Sequence, residues 1–371
     1  MPPLGLLLFI LLTLVCLVQL YYYGYFFRRL AFYKEPAPRQ QSLQHPVSVV
    51  ICARDEAGNL TRNLPGVLLQ QYPTTNEVIV VNDNSVDESR YVLAELQKTY
   101  RKLQIIELTQ EAKLIDGKKF PLSIGIKEAR HEVMLLTDAD CVPATEHWMF
   151  RMQDAFAPGI EVALGYGAYH KQPGVLNKLI RFETFHTALQ YLSYALAGKP
   201  YMGVGRNLAY RKGTFLRNKG FASINHIPSG DDDLFVNKVA TKENTTVVID
   251  PDAFTLSAPK QSWTEWRKQK ARHYTAGKYY KAGHKALLAT YTATFLLFYP
   301  LFIASLLLFD WRLALIPFLS RLIVQGIVWK KAMTRLQEAD LFAIYPLLDL
   351  WMFFYYLVFI PTLWKKPGKW K

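Results

Sequence analysis

The stretch Leu135-Leu136-Thr137-Asp138-Ala139-Asp140-Cys141 passes from apolar residues into two carboxylates one residue apart. Residues 132–137 have the length and composition of a buried parallel strand that ends in a loop. Ligands of open α/β sheets collect at the carboxyl ends of such strands, where an Asp-x-Asp can hold Mg²⁺ or Mn²⁺ against a diphosphate. The alternative is that Asp138 and Asp140 cap a helix beginning near Glu146. The stretch alone leaves both interpretations open.

Short β-branched runs and helical segments alternate over the surrounding chain. Strands are predicted at 47–52, 77–81, 103–108 and 132–137, and helices at 86–98, at 117–130 and from Asn59 onward. This alternation predicts an α/β domain with a mainly parallel sheet and right-handed crossovers.

Polar residues also follow the first two of these strands. The first ends in Ala53-Arg54-Asp55-Glu56 and the second in Asn82-Asp83-Asn84-Ser85. Carboxylates gathered at one sheet edge raise each other's pKa and destabilise the fold unless a cation or a hydrogen-bonding ligand is present. Each residue alone has an alternative role as a turn former or a solvated helix start, but the set as a whole favours a binding site.

The composition favours a membrane as partner. The 371 residues include 44 Lys and Arg against 30 Asp and Glu, and the basic residues lie beside apolar segments. This pattern indicates a membrane surface and argues against nucleic acid. The three cysteines, Cys16, Cys52 and Cys141, have no metal-ligand spacing, so we expect no disulfide framework, no zinc site and a thiol-reducing compartment for the soluble part.

Four apolar segments are candidates for membrane helices. Residues 4–27 and 286–309 carry no charge, 313–329 contains only Arg321, and 341–364 contains only Asp349. The first is interpreted as an uncleaved anchor because it lacks a positive n-region and is followed by Arg28-Arg29. These two arginines should stay in the cytoplasm, together with the soluble domain that follows.

Positive charge flanks the last segment on both sides. Lys330, Lys331 and Arg335 precede it, and Lys365, Lys366, Lys369 and Lys371 follow it, although both sets favour the cytoplasmic side. Either one segment is re-entrant or interfacial, or the last residues break the preference of Lys and Arg for the cytoplasmic side. The sequence does not decide between these alternatives. The predicted division is an anchor at 1–29, a cytoplasmic domain at 45–258, a basic amphipathic interfacial segment at 259–285 and a membrane region of two to three spans at 286–371.

Two charged clusters lie in the second half of the chain. Ser229-Gly230-Asp231-Asp232-Asp233-Leu234 places three acids at the start of a predicted helix, where ordinary capping is the alternative to a catalytic role. Residues 260–285 contain eight Lys or Arg against Glu265, with Trp263 and Trp266 among them. A basic, tryptophan-bearing helix of this kind is expected to lie in the headgroup layer.

In their order these motifs resemble the family-2 inverting glycosyltransferases, the group that includes ceramide glucosyltransferase, hyaluronan synthase and cellulose synthase. The resemblance covers roughly residues 45–275 and implies a GT-A type nucleotide-sugar-binding domain. One departure is Pro121, which stands where the family usually has alanine. By similarity, the donor-binding residues at the strand ends and in Gly117-Lys118-Lys119 are Ala53, Arg54, Glu56, Asp83, Lys118 and Asp138, and the metal motif is Asp138 and Asp140.

The resemblance also implies which groups react. The family's acidic pair maps onto Asp231 and Asp232, with Asp232 as general base, and a shift of one residue would give that role to Asp233. Gln269-Lys270-Ala271-Arg272-His273 resembles the Gln-x-x-Arg-Trp motif that closes over donor and acceptor, so Gln269, Arg272 and His273 join the donor site. Because His273 replaces the tryptophan, a stacking surface for a growing sugar chain is missing.

The resemblance therefore implies a metal-assisted hexosyltransferase that uses Mg²⁺ or Mn²⁺. It would move a sugar from a nucleotide-sugar donor, a UDP-sugar, to a lipid or lipid-linked acceptor with inversion. Its expected place is the plasma (inner) membrane, with the catalytic domain in the cytoplasm. A processive polysaccharide synthase is the alternative within the family, and a non-catalytic membrane scaffold with the same fold is the alternative outside it.

Overall fold

The computed structural model describes residues 3–34, 43–109 and 117–364. The strands are β1 (Val47–Ala53), β2 (Asn76–Asp83), β3 (Leu103–Leu108), β4 (Val133–Leu136), β5 (Cys141–Pro143), β6 (Val162–Leu164), β7 (Gly167–Tyr169), β8 (Leu208–Arg211), β9 (Thr245–Val247) and β10 (Thr255–Ser257). The helices are α1 (Pro3–Ala31), α2 (Ala57–Leu68), α3 (Ser89–Thr99), α4 (Lys119–Glu128), α5 (Trp148–Gln153), α6 (Val175–Leu196), α7 (Lys212–Arg217), α8 (Asp233–Val239), α9 (Trp263–Tyr274), α10 (Ala282–Leu308), α11 (Trp311–Arg335) and α12 (Tyr345–Phe359). Short 3₁₀ turns lie at Ala222–Ile224, Pro251–Ala253, Gly277–Tyr279, Ala339–Ile344 and Ile360–Trp364.

Seven of the strands form one sheet in the order β3-β2-β1-β4-β8-β6-β9. The first four are parallel, with Val49 of β1 opposite Val78 of β2 and Leu135 of β4. Strand β8 is antiparallel to both β4 and β6. The predicted α/β architecture with a mainly parallel sheet is confirmed, and the four predicted strands correspond to β1 to β4.

Burial on both faces of the sheet explains why these strands are continuously apolar. Alternate residues of β1 enter two different cores: Val49 packs in a cluster with Trp148 of α5, and Val50 packs in a cluster with Ile126 of α4. Helix α4 approaches the sheet so closely that a Cβ on Gly125 would lie 2.6 Å from the Val50 side chain. A larger residue at this position would push α4 away from the sheet.

A second, three-stranded sheet has the order β5-β10-β7. Strand β5 begins at Cys141, directly after the two carboxylates, and Cys141 is opposite Ser257 of β10. The next helix, α5, begins at Trp148 with His147 as its N-cap residue. The interpretation of Asp138 and Asp140 as caps of a helix near Glu146 is therefore wrong, because a strand lies between them and that helix.

Four helical segments are long and apolar enough to cross a membrane: Pro3–Ala31, Ala282–Leu308, Trp311–Arg335 and Ala339–Trp364. Helices α1 and α10 are antiparallel along their length, since Phe9 stacks on Phe309 at 4.8 Å and the Tyr22 hydroxyl donates to the Leu287 carbonyl at 2.7 Å. Helix α11 joins them where the Cys16 thiol donates to the Pro317 carbonyl at 3.1 Å.

Helix α6 connects the sheets to the membrane helices. On its sheet side the Tyr191 hydroxyl donates to the Gly165 carbonyl at 2.7 Å. On the other side four buried polar residues contact elements from the last third of the chain, and we call them the docking face: Arg181 with Glu338, Glu183 with Lys270, His186 with Tyr291, and Gln190 with Tyr356. The membrane region and the α/β domain are thus joined by specific polar contacts.

Candidate active site

The carboxyl ends of β1, β2 and β4 meet at one edge of the sheet, as parallel strands require. The loops after β1 and β2 are tied together, because the Asp55 amide donates to Ser85 Oγ at 2.9 Å and the Val86 amide donates to Asp55 Oδ1 at 2.8 Å. Asp55 and Asn84 take the left-handed conformation with φ of 54° and 52°, which Asp and Asn tolerate better than most residues. These turns hold the two loops in one place.

Four of the predicted donor-binding residues lie at this edge. Ala53 is the last residue of β1 and is buried, and Arg54 follows it and is half-buried. Asp83 ends β2, and its carboxylate accepts from the Asn84 side-chain amide at 3.2 Å. The carboxylate of Glu56 accepts from the Asn59 amide at 2.5 Å. Burial raises the pKa of Glu56, and the charges of Asp140 and Asp138 raise it further, so Glu56 lies in the field of the predicted metal motif.

Lys118 lies at the centre of the site. Its ammonium nitrogen is 2.6 Å from Asp138 Oδ1 and 3.2 Å from Asp231 Oδ2. Burial lowers the pKa of Lys118, but the charges of Asp138 and Asp231 outweigh it and hold the pKa well above its usual value. A small cavity surrounds this ammonium and is lined by Thr137, Gly205 and Asp232, among others. The residues predicted from three separate motifs therefore converge on one cavity.

The side chains of Asp138, Asp140 and Cys141 offer ligand atoms that lie within 4.8 Å of one another. Burial raises the pKa of Asp138, but the Lys118 ammonium outweighs it and keeps the pKa below its usual value. Burial and the charge of Asp138 raise the pKa of Asp140. An added cation beside the pair would stabilise both charged forms.

This donor set fits a hard divalent cation held by carboxylate oxygens, as Mg²⁺ and Mn²⁺ are. Cys141 is a poor ligand for such an ion. Burial raises the pKa of its thiol well above the usual value, and its sulfur lies 2.9 Å from the Ser257 hydroxyl. We therefore restrict the candidate metal-ligating residues to Asp138 and Asp140.

The acidic triplet divides between two environments. Asp231 and Asp232 line the cavity. Asp232 is also the N-cap residue of α8, since its carboxylate accepts from the Gly205 amide and from the Asp233 amide, each at 2.7 Å. Burial and the charge of Asp231 raise the pKa of Asp232 to about 6. Asp232 therefore both caps α8 and lines the cavity.

Asp233 points toward the segment that leads into the membrane. Its carboxylate accepts a hydrogen bond from the Tyr280 hydroxyl at 2.7 Å, and it is absent from the residues that line the cavity. Burial and the charge of Asp232 raise the pKa of Asp233 to about 8. The geometry favours Asp231 and Asp232 over Asp233 for contact with a substrate.

Helix α9 brings the predicted motif of residues 269–273 toward the site. Arg272 is half-buried, and its charge lowers the pKa of Asp138. Gln269 is half-buried and His273 is exposed. Two other residues of α9 point into the protein: Lys270 forms the buried ion pair with Glu183, and Trp266 packs 5.6 Å from Phe359 between ring centroids.

Trp263 of α9 is 52% exposed, whereas Trp266 is 5% exposed. Only the first of the two tryptophans is thus available to a headgroup layer.

Arg206 was not among the residues predicted for the site, although the structure places it there. The Arg206 guanidinium lies 4.3 Å from the centre of the Tyr169 ring, and its charge lowers the pKa of Asp138 and opposes the rise in that of Asp140. Arg206 comes just before β8, and Asp138 and Asp140 come just after β4. Because β8 pairs with β4 in antiparallel fashion, Arg206 lies beside the two carboxylates. That pairing joins residues far apart in the chain, so no local sequence pattern indicates it.

Residues 48–215 match the family model described as glycosyl transferase family 2. A beta-monoglucosyldiacylglycerol synthase from Nostoc sp. is 30% identical over 101 residues, which is 27% of this chain and 21% of that protein. A poly-beta-1,6-N-acetyl-D-glucosamine synthase from Staphylococcus epidermidis is 25% identical over 138 residues, which is 37% of this chain and 32% of that protein. The matches thus span about a fifth to a third of the length of these relatives.

Among solved structures, the fold is similar to that of a mannosyltransferase from Pyrobaculum calidifontis in complex with GDP-Man and Mn²⁺. The TM-score is 0.54 at 17% sequence identity, and the similarity covers 92% of this chain and 99% of that one. At this identity the likeness concerns the fold.

Proposed function

The chain belongs to glycosyl transferase family 2, and on this basis we propose that it transfers one sugar from a UDP-sugar to a lipid or lipid-linked acceptor, with inversion at the anomeric carbon. The observation that carries the proposal is the position of the cavity next to the membrane helices. Asp232 lines the cavity and caps α8, and Asn237 of the same helix lies 3.0 Å from His284 of α10. An acceptor can therefore present a headgroup hydroxyl to the cavity while its chains stay in the bilayer.

The donor would occupy the edge of the sheet. In this proposal Ala53, Arg54, Glu56 and Asp83 bind the uridine, while the positive charges of Lys118 and Arg272 oppose the charge of the diphosphate. Gln269 and His273 would cover the bound donor from α9. Lys118 has an ammonium already fixed between two carboxylates, so little reorganisation is needed when a phosphate replaces one of them.

The cation in this proposal is Mg²⁺ or Mn²⁺, held by Asp138 and Asp140. When bound, it would supply positive charge that neutralises the departing diphosphate. Its chemistry agrees with the oxygen donors of this pair and with the Mn²⁺ in the Pyrobaculum calidifontis mannosyltransferase.

The general base would be Asp232, with Asp231 beside it. Inverting transfer needs a carboxylate that takes the proton from the acceptor oxygen while this oxygen attacks the anomeric carbon from the side opposite the diphosphate. Two backbone amides hold the Asp232 carboxylate in place, and a pKa of about 6 leaves it both charged and basic at neutral pH. The negative charge of Asp231 contributes to that basicity.

Transfer of a single sugar is favoured by His273, which replaces the tryptophan of the family motif and lies exposed at the end of α9. The monoglucosyldiacylglycerol synthase relative supports a lipid acceptor. A second candidate function is processive synthesis of a polysaccharide, and the poly-N-acetylglucosamine synthase relative favours it. The two functions differ in product length.

We also propose that the α/β domain of residues 45–258 lies in the cytoplasm, on the inner face of the plasma membrane. The anchor of residues 1–29, the segment of residues 259–285 and the membrane region of residues 286–371 would hold it there. Arg29 at the end of α1 supports this side, since its guanidinium donates to the Leu196 carbonyl of the domain at 3.5 Å.

Products formed in lipid vesicles test the proposal. Purified protein would be incubated with radiolabelled UDP-sugars and Mn²⁺, followed by organic extraction and chromatography. A discrete labelled glycolipid is expected, and Asp232→Asn should yield none of it at equal protein. A ladder or a water-soluble polymer would instead support the processive function. Absence of any transfer from a full set of nucleotide sugars and lipids would contradict both.

A further inference from the structure

We propose that α12 does not cross the membrane but lies in its plane, on the side of the α/β domain, with one apolar face docked into the lipid leaflet. We call this face the leaflet face, and it consists of Leu347, Leu350, Phe354, Leu357 and Val358. The inference concerns how the chain sits in the bilayer, and it does not depend on the proposed reaction.

The length of α12 is the first observation. Its 15 residues reach about 22 Å at 1.5 Å per residue, which is less than the roughly 30 Å of a hydrocarbon core. Helices α10 and α11 have 27 and 25 residues and reach about 40 and 38 Å. The apolar segment Ala339–Trp364 equals them in length only because 3₁₀ turns flank the helix on both sides.

The segment that leads into α12 and the last turn of α12 lie against the α/β domain and α9, respectively. Before the helix, Glu338 accepts from the Arg181 guanidinium at 2.8 Å and from the Tyr166 hydroxyl at 3.3 Å. At its last turn, Phe359 packs against Trp266 and Tyr274 of α9, with ring centroids 5.6 and 5.9 Å apart. A helix that crosses a bilayer can reach a domain on one side with one of its ends only.

The middle of α12 follows α6 of the α/β domain. Trp351 lies 6.2 Å from Phe182 between ring centroids, and the Tyr356 hydroxyl accepts from the Gln190 amide at 3.2 Å. Both residues of α6 are buried, and α6 is itself fixed to the sheet by Tyr191. Contact along the helix, and not at one end, places α12 at the boundary between the domain and the membrane.

The two faces of α12 have different surroundings. Asp349 is 1% exposed and forms an ion pair with Arg321 of α11 at 2.7 Å, so this face points into the protein. Leu347, Phe354 and Val358 on the opposite face are 67%, 55% and 56% exposed. The spacing of 7 and 11 residues between them keeps them on one side of a helix.

Lipid is the occupant that fits the leaflet face. The face carries no polar or charged side chain, and α10 and α11, which are candidates to cross the bilayer, also expose large apolar residues. An in-plane α12 also puts Trp364, which is followed in the sequence by four lysines, on the same side of the membrane as Lys330, Lys331 and Arg335. The distribution of positive charge then agrees with the preference of Lys and Arg for one side.

Labelling from one side of the membrane tests the placement of the last turn. Cysteine would replace Val86, Trp364 or Trp311, three residues that are 92%, 78% and 55% exposed. The chain without these changes gives the background from its buried or half-buried cysteines. In sealed vesicles, an impermeant maleimide should label positions 86 and 364 from the same side and position 311 from the other. Labelling of position 364 together with position 311 would overturn the proposal.

Depth measurement tests the orientation of the helix itself. Spin labels on cysteines at Leu347 and Val358 are 11 residues, or about 16 Å, apart along the helix axis. An in-plane helix predicts equal depths within a few Å, whereas a crossing helix tilted by as much as about 40° predicts a difference of about 12 Å. Leu297 and Leu308 of α10 form the matched pair, also 11 residues apart and 51% and 46% exposed, and should show the large difference. Similar depth differences for the two pairs would overturn the proposal.

Discussion

Replacing Asp232 by asparagine removes the charge that would accept the acceptor proton while leaving the shape of the side chain. Asparagine keeps one carbonyl oxygen, but the carboxylate of Asp232 serves two amide donors, those of Gly205 and Asp233. One hydrogen bond is therefore lost, at a cost of about 1 kcal/mol. Relief of the repulsion from Asp231 offsets part of that cost, so the free energy of unfolding should change by less than about 2 kcal/mol.

The expected loss of activity is larger than this change in stability. Loss of general acid–base catalysis lowers rates by about 10²- to 10⁴-fold, which corresponds to about 3–5 kcal/mol in the barrier. Donor affinity should remain, because the proton taken by Asp232 belongs to the acceptor. The transfer rate at saturating donor in vesicles measures the first quantity, and calorimetry with the nucleoside diphosphate measures the second.

Asp233→Asn is the matched control, since it removes the same charge one residue along the chain. Its side chain faces Tyr280 instead of the cavity, so transfer should fall much less than in Asp232→Asn. If Asp233→Asn is inactive while Asp232→Asn is active, our assignment of the base is wrong by one residue. A large loss of donor affinity in Asp232→Asn would place this residue in the donor site instead.

Three other substitutions have defined outcomes. Asp140→Asn should abolish metal-dependent binding of a nucleoside diphosphate while the protein stays folded, and unchanged affinity in Mn²⁺ calorimetry would contradict the metal assignment. Asp233→Asn should raise the Tm more at pH 8 than at pH 5. Folding raises the pKa of Asp233 from 3.8 to about 8, so the unchanged protein loses stability as the pH rises from 5 to 8, whereas asparagine does not titrate. An equal gain in Tm at both pH values would contradict this reasoning. Arg181→Met should cost about 3–5 kcal/mol of stability by leaving Glu338 buried without its cation, and an unchanged Tm would refute this.

Local sequence patterns predicted the central strands well because both faces of the sheet are buried. Residues 103–108 were predicted as a strand and form β3 with the same bounds, and β1, β2 and β4 differ from the predicted ranges by a residue or two. Of the two interpretations left open for the Asp-x-Asp, capping of a helix near Glu146 was wrong because β5 lies in between. Strand β5 exists because it pairs with Thr255–Ser257, and a partner more than 100 residues away leaves no local pattern.

The candidate site was foreseen in part. Lys118, Asp138, Asp231 and Asp232 were expected to act together and do line one cavity, although their roles stay predictions. Other features depend on distant partners that composition does not reveal. Lys270 was counted among the residues of a basic surface, yet it is buried against Glu183, 87 residues earlier in the chain.

By hydropathy the last apolar segment resembles the other candidate membrane helices. The positive charges on both sides of this segment conflict with a full crossing of the membrane, but charge alone does not show which segment fails to cross. The observations that support the proposal are the contacts of Glu338, which precedes the 3₁₀ turn leading into α12, with the α/β domain and of Phe359, the last residue of α12, with α9.

The docking face of α6 has a consequence for how the protein is made. Glu338 follows Arg181 by 157 residues, and Tyr356 follows Gln190 by 166. At roughly 5–20 residues per second, a ribosome needs roughly 8–30 s to synthesise the partners of this face. Once residue 258 has been made, the predicted α/β domain is complete, but until Glu338 follows, Arg181 lacks this counter-ion and the docking face of α6 is uncovered. Biogenesis of the domain therefore ends only when the last membrane segment has been delivered to the bilayer, and synthesis stopped before residue 338 should yield a product that chaperones retain or proteases remove.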